Sequence, residues 1–98
     1  MRHKIIFHHE IFAEIENALS WYDKKRMGLG DELEQKIFET LNSILSNPWL
    51  FAKVYKDYRK INLKIFPYNI IYRIKDETII VLCFHHQKRH PKHWKKRK

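Results

Sequence analysis

The chain is poor in the features that mark several protein classes. Cys83 is its single cysteine among 98 residues. No internal disulfide is possible, which excludes a disulfide-stapled secreted scaffold and fits a reducing cytosol. No apolar run approaches the ~20 residues of a membrane span. The first residues, MRHKIIFHH, lack the apolar core of a secretory signal, so a cytoplasmic protein is expected. With only two glycines, Gly28 and Gly30, there is no phosphate-cradling P-loop and no Gly-rich dinucleotide fingerprint. A serine nucleophile elbow and internal repeats are also missing. The length allows one domain, residues 1–98, with one modest core burying roughly 60–65% of the unfolded surface.

Acid is what the C-terminal end lacks. The final fourteen residues, HHQKRHPKHWKKRK, hold seven Lys or Arg and four His but no Asp or Glu. Residues 8–47 hold eight acids against four bases, a net −4. On a total of +9, this leaves +13 for the rest of the chain. Such an excess costs self-repulsion and suits a polyanion or an acidic protein partner. With 44% apolar and 32% charged residues the composition is that of a folded domain, so the basic segment at about 86–98 reads as a tail on a globular body.

Periodicity supplies the elements. Residues 4–8 read as a short strand. Ile11, Ile15, Ala18 and Tyr22 then form one helical stripe flanked by Phe12 and Leu19. Glu10 and Glu14 near its start and Lys24, Lys25 and Arg26 near its end match the helix dipole, and Gly28 suits a left-handed C-cap. A second helix opens at 29–31 with Asp31 and Glu32 in its first turn. It buries Leu33, Ile37, Leu41, Ile44 and Leu45 with Phe38 beside them, and stops at Asn47-Pro48. Residues 49–57 carry no assignable pattern. From Tyr58 to Phe66 the period is two, with Ile61, Leu63 and Ile65 on one side. Tyr68 to Lys75 reads as the next strand and Asp76-Glu77 as a turn. Residues 79–84 are apolar on both parities, as a central strand covered on both faces would be. The expected fold is α+β, ordered β-α-α-β-β-β. A helical hairpin packs on one face of a four-stranded, mainly antiparallel sheet, and the other face is left open for a ligand.

Four residues are candidates for chemistry. Arg59 shares the parity of apolar Ile61 and Leu63, where an unpaired charge is unusual. Arg73 alternates with Ile71 on the next strand. His85 and His86 end the central strand. Two guanidiniums can neutralise a phosphate, and an imidazole can move a proton near neutral pH. Converging at one end of the sheet, they would suffice for attack of an RNA 2′-hydroxyl on its neighbouring phosphate. The alternative is structural: Arg59 pairs with a helix carboxylate and one histidine packs at the sheet edge. Lys60, Lys64, Lys88, Arg89, Trp94 and Arg97 are candidates for contact with a nucleic acid or other target. Trp94 can either stack on a base or clamp the tail to the sheet. Trp21-Tyr22 reads as packing. The seven histidines match no known zinc spacing and Cys83 lies within a strand, so no metal and no other cofactor is expected.

An ordered set of short words completes the reading: Trp21-Tyr22, Gly28-Leu29-Gly30, Asn47-Pro48, Tyr58-Arg59, Phe66-Pro67-Tyr68 with Ile71-Tyr72, and the closing His85…Arg89…Pro91…Trp94…Arg97. Over residues 5–97 the chain resembles the RelE/ParE superfamily, the toxins of bacterial type II toxin–antitoxin systems. The resemblance implies a small basic cytosolic toxin that inhibits growth. It would be neutralised in a hetero-oligomer by an antitoxin with an acidic, amphipathic C-terminal segment. RelE-like members cleave mRNA on the ribosome without metal, whereas ParE-like members poison DNA gyrase. For the ribonuclease branch it implies phosphate contact by Arg59 and Arg73 and proton transfer by His85 or His86. The Trp-Tyr, Gly-Leu-Gly, Asn-Pro and Phe-Pro-Tyr words are closer to ParE-like members.

Overall fold

The computed structural model describes residues 3–97. Met1, Arg2 and Lys98, which the single-domain reading and the tail reading include, lie outside the described residues. Strand β1 (Lys4–Phe7) leads into helix α1 (Ile11–Lys25) and helix α2 (Leu29–Ser46). Strands β2 (Lys53–Tyr55), β3 (Tyr58–Asn62), β4 (Tyr68–Lys75) and β5 (Thr78–His86) follow, and a short helix α3 (Lys92–Lys95) closes the chain. The sheet is five-stranded in the order β1-β5-β4-β3-β2, with β1 parallel to β5 and the other pairs antiparallel. Two helices on a mainly antiparallel sheet is the expected architecture. The extra strand comes from the unassigned segment: three residues at a sheet edge carry too little period to be read. No helix among the described residues is long and apolar enough to cross a membrane.

The hairpin turns on two glycines. Gly28 sits at φ +88°, the left-handed region that favours glycine, and its carbonyl accepts the Glu32 N–H at 3.2 Å. It thus serves as the N-cap of α2, whereas the sequence suggests a C-cap of α1. Gly30 N–H donates to Asp23 Oδ1 at 2.7 Å, so a carboxylate from the end of α1 caps α2 from outside. A Cβ at position 30 would lie 2.7 Å from that carboxylate, which explains glycine there. The helices bury Ile11, Ala18, Leu33, Ile37 and Ile44 against Ile70, Tyr72, Ile79, Val81 and Phe84. Leu45, expected in this stripe, is instead 38% exposed.

Two expectations are corrected by the sheet. β3 ends at Asn62 rather than Phe66. Ile65 adopts φ +74° in the following turn and stands 83% exposed, while Phe66 takes the core position. The face away from the helices is not open either. The C-terminal segment folds across it, and Trp94, 4% exposed, packs with Tyr58, Ile71, Leu82 and Cys83 in a second small core. Tyr58 hydroxyl donates to the Arg97 carbonyl, tying the tail down beyond α3. A central strand apolar on both parities needs cover on both sides, and the tail supplies the second cover.

Candidate functional site

A β-bulge decides which residues of β5 face which core. The β4–β5 register shifts between Ile71 and Tyr72, which pair with Cys83 and Val81. Leu82 is the extra residue, so Val81 and Phe84, three apart, both face the helices. Without the bulge His85 would share the side of Ile79 and Val81. With it, His85 turns toward the tail and His86 toward α1. The register shift leaves no periodic trace in a run that is apolar on both parities.

The four candidates for chemistry therefore do not converge. Arg59 lies opposite Tyr72 on β4, and directly opposed side chains share a face, here the helix side. Its Nη1 donates to the carbonyls of Phe51 at 2.6 Å and Trp49 at 3.2 Å, and the guanidinium lies 5.2 Å from the Trp49 ring centroid. It holds the connector before β2; no helix carboxylate is its partner. Arg73 is on the other face, paired with Asp57 at 2.9 Å and set over the Tyr58 ring. His85 shares that face but pairs with Asn69, four residues from Arg73 along β4, or roughly 13 Å at ~3.3 Å per residue. His86 is on the helix side at the strand's end, edge-on to the Tyr68 ring. Convergence of Arg59, Arg73, His85 and His86 is thus corrected: Arg59 pairs with Tyr72, so Arg73 beside it faces the opposite side, and the bulge puts His85 on the side of Arg73 but four residues along the strand.

Burial corrects part of the contact set as well. Trp94 is sealed beneath the tail and Arg97 keeps only 9% of its side chain exposed, so neither offers a free surface. Lys60, Lys64, Lys88 and Arg89 are exposed as expected.

Glu14 organises what the tail covers. Its side chain, 15% exposed, accepts from Arg97 Nη1 at 3.1 Å and Nη2 at 2.8 Å and from His93 Nε2 at 2.7 Å. It also accepts the Phe84 backbone N–H at 3.2 Å. Arg97 further donates to the Leu82 carbonyl at 2.9 Å. One carboxylate on α1 thus joins helix, central strand and tail. The sequence carries a signal for it: Glu14 sits three residues after buried Ile11 and four before buried Ala18, on the flank of the core stripe. Read as a dipole charge alone, it is missed.

Next to Glu14 lie Cys83, His85 and His93, whose imidazole rings meet edge-on at 5.6 Å. Burial pushes the Cys83 thiol up to about 12, aided by the Glu14 charge. Burial likewise pushes His85 down to about 4, helped by His93 and Arg89. His93 is lowered for the same first reason, with Arg89 and Arg97 adding to it. Both imidazoles are therefore neutral at pH 7, and Arg97 is the counter-ion of Glu14. The sequence spacing that matched no zinc pattern conceals this proximity.

A cleft of about 390 Å³ opens between α1 and the end of β5, lined by Trp21, Tyr22, Tyr68, Phe84, His86 and Arg89 among others. Tyr68 stacks on Phe84 at 4.6 Å, and Tyr22 meets Tyr68 edge-on. Burial raises both tyrosine hydroxyls above their ordinary range. Trp21, read as packing, is exposed at the rim, with Lys25 Nζ 4.7 Å from its ring centroid. His86 and Arg89 are the expected residues that the fold brings together here.

Three comparisons place the chain. Residues 5–91 match the family model for the ParE toxin of the type II toxin–antitoxin system, parDE. Among solved structures, a chain of the chromosomal ParDE system from P. aeruginosa is 15% identical, with a TM-score of 0.76 over 87% of this chain and 96% of its own. The isolated E. coli RelE toxin is 18% identical, with a TM-score of 0.64 over 93% of this chain and 90% of its own. A doubly substituted E. coli RelE in the free state is also 18% identical, at 0.58 over 90% and 86%. No curated protein matches the chain in sequence. The solved structures share its fold, and the family model covers most of its length: this chain belongs to the ParE toxin family of type II toxin–antitoxin systems.

Proposed function

We propose that the chain is the growth-inhibiting, cytoplasmic toxin of its pair and acts by occupying a macromolecular target of the DNA gyrase class rather than by cutting RNA. One observation carries this reading: Arg59, Arg73, His85 and His86, the candidates for phosphate cleavage, are distributed over two faces of the sheet, each engaged or buried. Cleavage requires a proton acceptor and phosphate-binding cations around one reacting centre. Arg59 is spent on backbone carbonyls, Arg73 on Asp57, and His85 is 4% exposed beneath the tail. A binding inhibitor needs only a complementary surface. The cleft beside Trp21, with Arg89 at its mouth and exposed Lys60, Lys64 and Lys88 elsewhere, supplies aromatic area and positive charge. Family membership implies a cognate antitoxin, and the basic excess suits the acidic amphipathic segment that the resemblance gives such partners.

The test is a pair of assays with the purified toxin. Inhibition of gyrase supercoiling, with translation and mRNA intact, is the expected result. Ribosome-dependent mRNA cleavage with normal supercoiling would overturn it in favour of the endoribonuclease reading. That second reading draws on the RelE-like fold and on a recess of about 550 Å³ that exposed Arg89 and Lys96 line together with His8. It requires loss of cleavage in an Arg89→Gln variant.

A further inference from the structure

We propose that Cys83, His85 and His93 form a binding site for a divalent cation of the zinc class, with Glu14 holding His93 from behind. The Cys83 sulfur and one ring nitrogen from each imidazole lie within 4.8 Å of one another. Thiolate and imidazole are the donors that zinc takes in closed protein sites, at ~2.3 and ~2.0–2.1 Å.

Two orphaned atoms point to a ligand. His85 Nδ1 and His93 Nδ1 are buried side-chain nitrogens with no hydrogen-bond partner. Buried polar atoms are almost always satisfied; Asn69 Oδ1 and Trp94 Nε1 close by are also unpartnered, and of the four it is the imidazole nitrogens that are zinc's usual donors. For His93 the shorter of two contacts at Nε2 favours one tautomer. Its Nε2 lies 2.7 Å from Glu14 Oε2 and 3.0 Å from Arg97 Nη2; a proton on Nε2 serves the closer carboxylate and leaves the lone pair on Nδ1. A carboxylate that orients an imidazole through its other nitrogen is the usual support of a metal-bound histidine. Glu14 is itself fixed by the Arg97 fork and by the Phe84 N–H.

The donors come from different parts of the chain. Cys83 and His85 are on β5, His93 is on α3, and Glu14 is on α1. Coordination would therefore staple the tail to the sheet beside Trp94. Binding requires the Cys83 thiolate, so the S–H proton leaves to solvent as the metal–sulfur bond forms. The nearby Arg89 and Arg97 oppose a dication, and the thiolate and Glu14 offset them. This site stands apart from the target question, because a gyrase binder and a ribonuclease could both carry it.

Cobalt(II) titration of the full chain, purified without a polyhistidine tag, tests the proposal. One equivalent is expected to produce thiolate-to-cobalt charge-transfer absorption, lost on adding zinc and weakened as pH falls. Cys83→Ser should abolish the band. His93→Gln should reduce cobalt affinity at least tenfold, which keeps the test intact if the serine variant folds poorly. Zinc should raise the Tm of the wild-type protein and leave that of Cys83→Ser unchanged. A wild-type titration without the thiolate band would overturn the proposal. So would binding that survives both substitutions but disappears in a His8→Gln, His9→Gln variant, because the metal would then sit on the exposed His8-His9-Glu10 cluster.

Discussion

Replacing Glu14 by Gln should destabilise the whole domain, because one carboxylate serves the Cys83 thiol and Phe84 N–H of β5 and the His93 and Arg97 side chains of the C-terminal segment. The substitution keeps the size and one acceptor oxygen, so the Phe84 N–H can remain bonded. The negative charge is lost, leaving Arg97 at 9% exposure with a neutral neighbour and only the more distant, exposed Glu10 carboxylate at 3.9 Å. Breaking a buried ion pair by removing one partner costs roughly 3–5 kcal/mol. Arg97 keeps its bond to the Leu82 carbonyl, and the Glu14 side chain is 15% rather than fully buried, which places the loss at the lower end, about 3 kcal/mol. For a domain of this size that corresponds to a Tm drop of roughly 12–24 °C. Urea unfolding followed by tryptophan fluorescence measures it, with Trp94 reporting on the tail and far-UV dichroism on the helices. A double-mutant cycle with Arg97→Met should return most of the loss as coupling between the two residues. A loss below 1 kcal/mol, the scale of a surface ion pair, would refute Glu14 as the joint between helix, strand and tail.

Trp94→Ala should cost about 3–5 kcal/mol and release the tail, because the indole fills the second core against Tyr55 and Tyr58; limited proteolysis at the tail lysines would report the release, and wild-type resistance in the variant would contradict it. His85 is neutral when folded, titrating at about 4 against 6.5 when unfolded. Its contribution is therefore complete above pH 6.5 and lost as pH falls toward 4, since the unfolded chain takes up the proton first. Urea midpoints across that window should fall less steeply in His85→Gln, and parallel slopes would disprove the assignment. Changing Lys60, Lys64 and Lys88 together to Gln should slow antitoxin association roughly tenfold at low salt and flatten its salt dependence, read by stopped-flow fluorescence; unchanged kinetics would remove these lysines from the encounter surface. Deleting residues 88–98 cannot serve the same purpose, because it would also remove Trp94 from the core.

Local rules carried the sequence far. Apolar spacing at 11, 15, 18 and 22 set α1, Asn47-Pro48 ended α2, and the bounds of β4 were legible because alternation and turn residues act over a few neighbours. The unbroken apolar run at 79–84 revealed that β5 has two covered faces. Three things needed the folded chain. A short edge strand formed where pairing, rather than its own pattern, fixes the backbone. A basic tail became the second cover because Trp94 and the buried Arg97 outweigh the exposed lysines around them. Above all, the bulge at Leu82 reversed the side of every residue after it on β5. It separated His85 from Arg59 and set it with Cys83 and His93 beside Glu14. Register is a relation between strands, and no single strand's sequence records it.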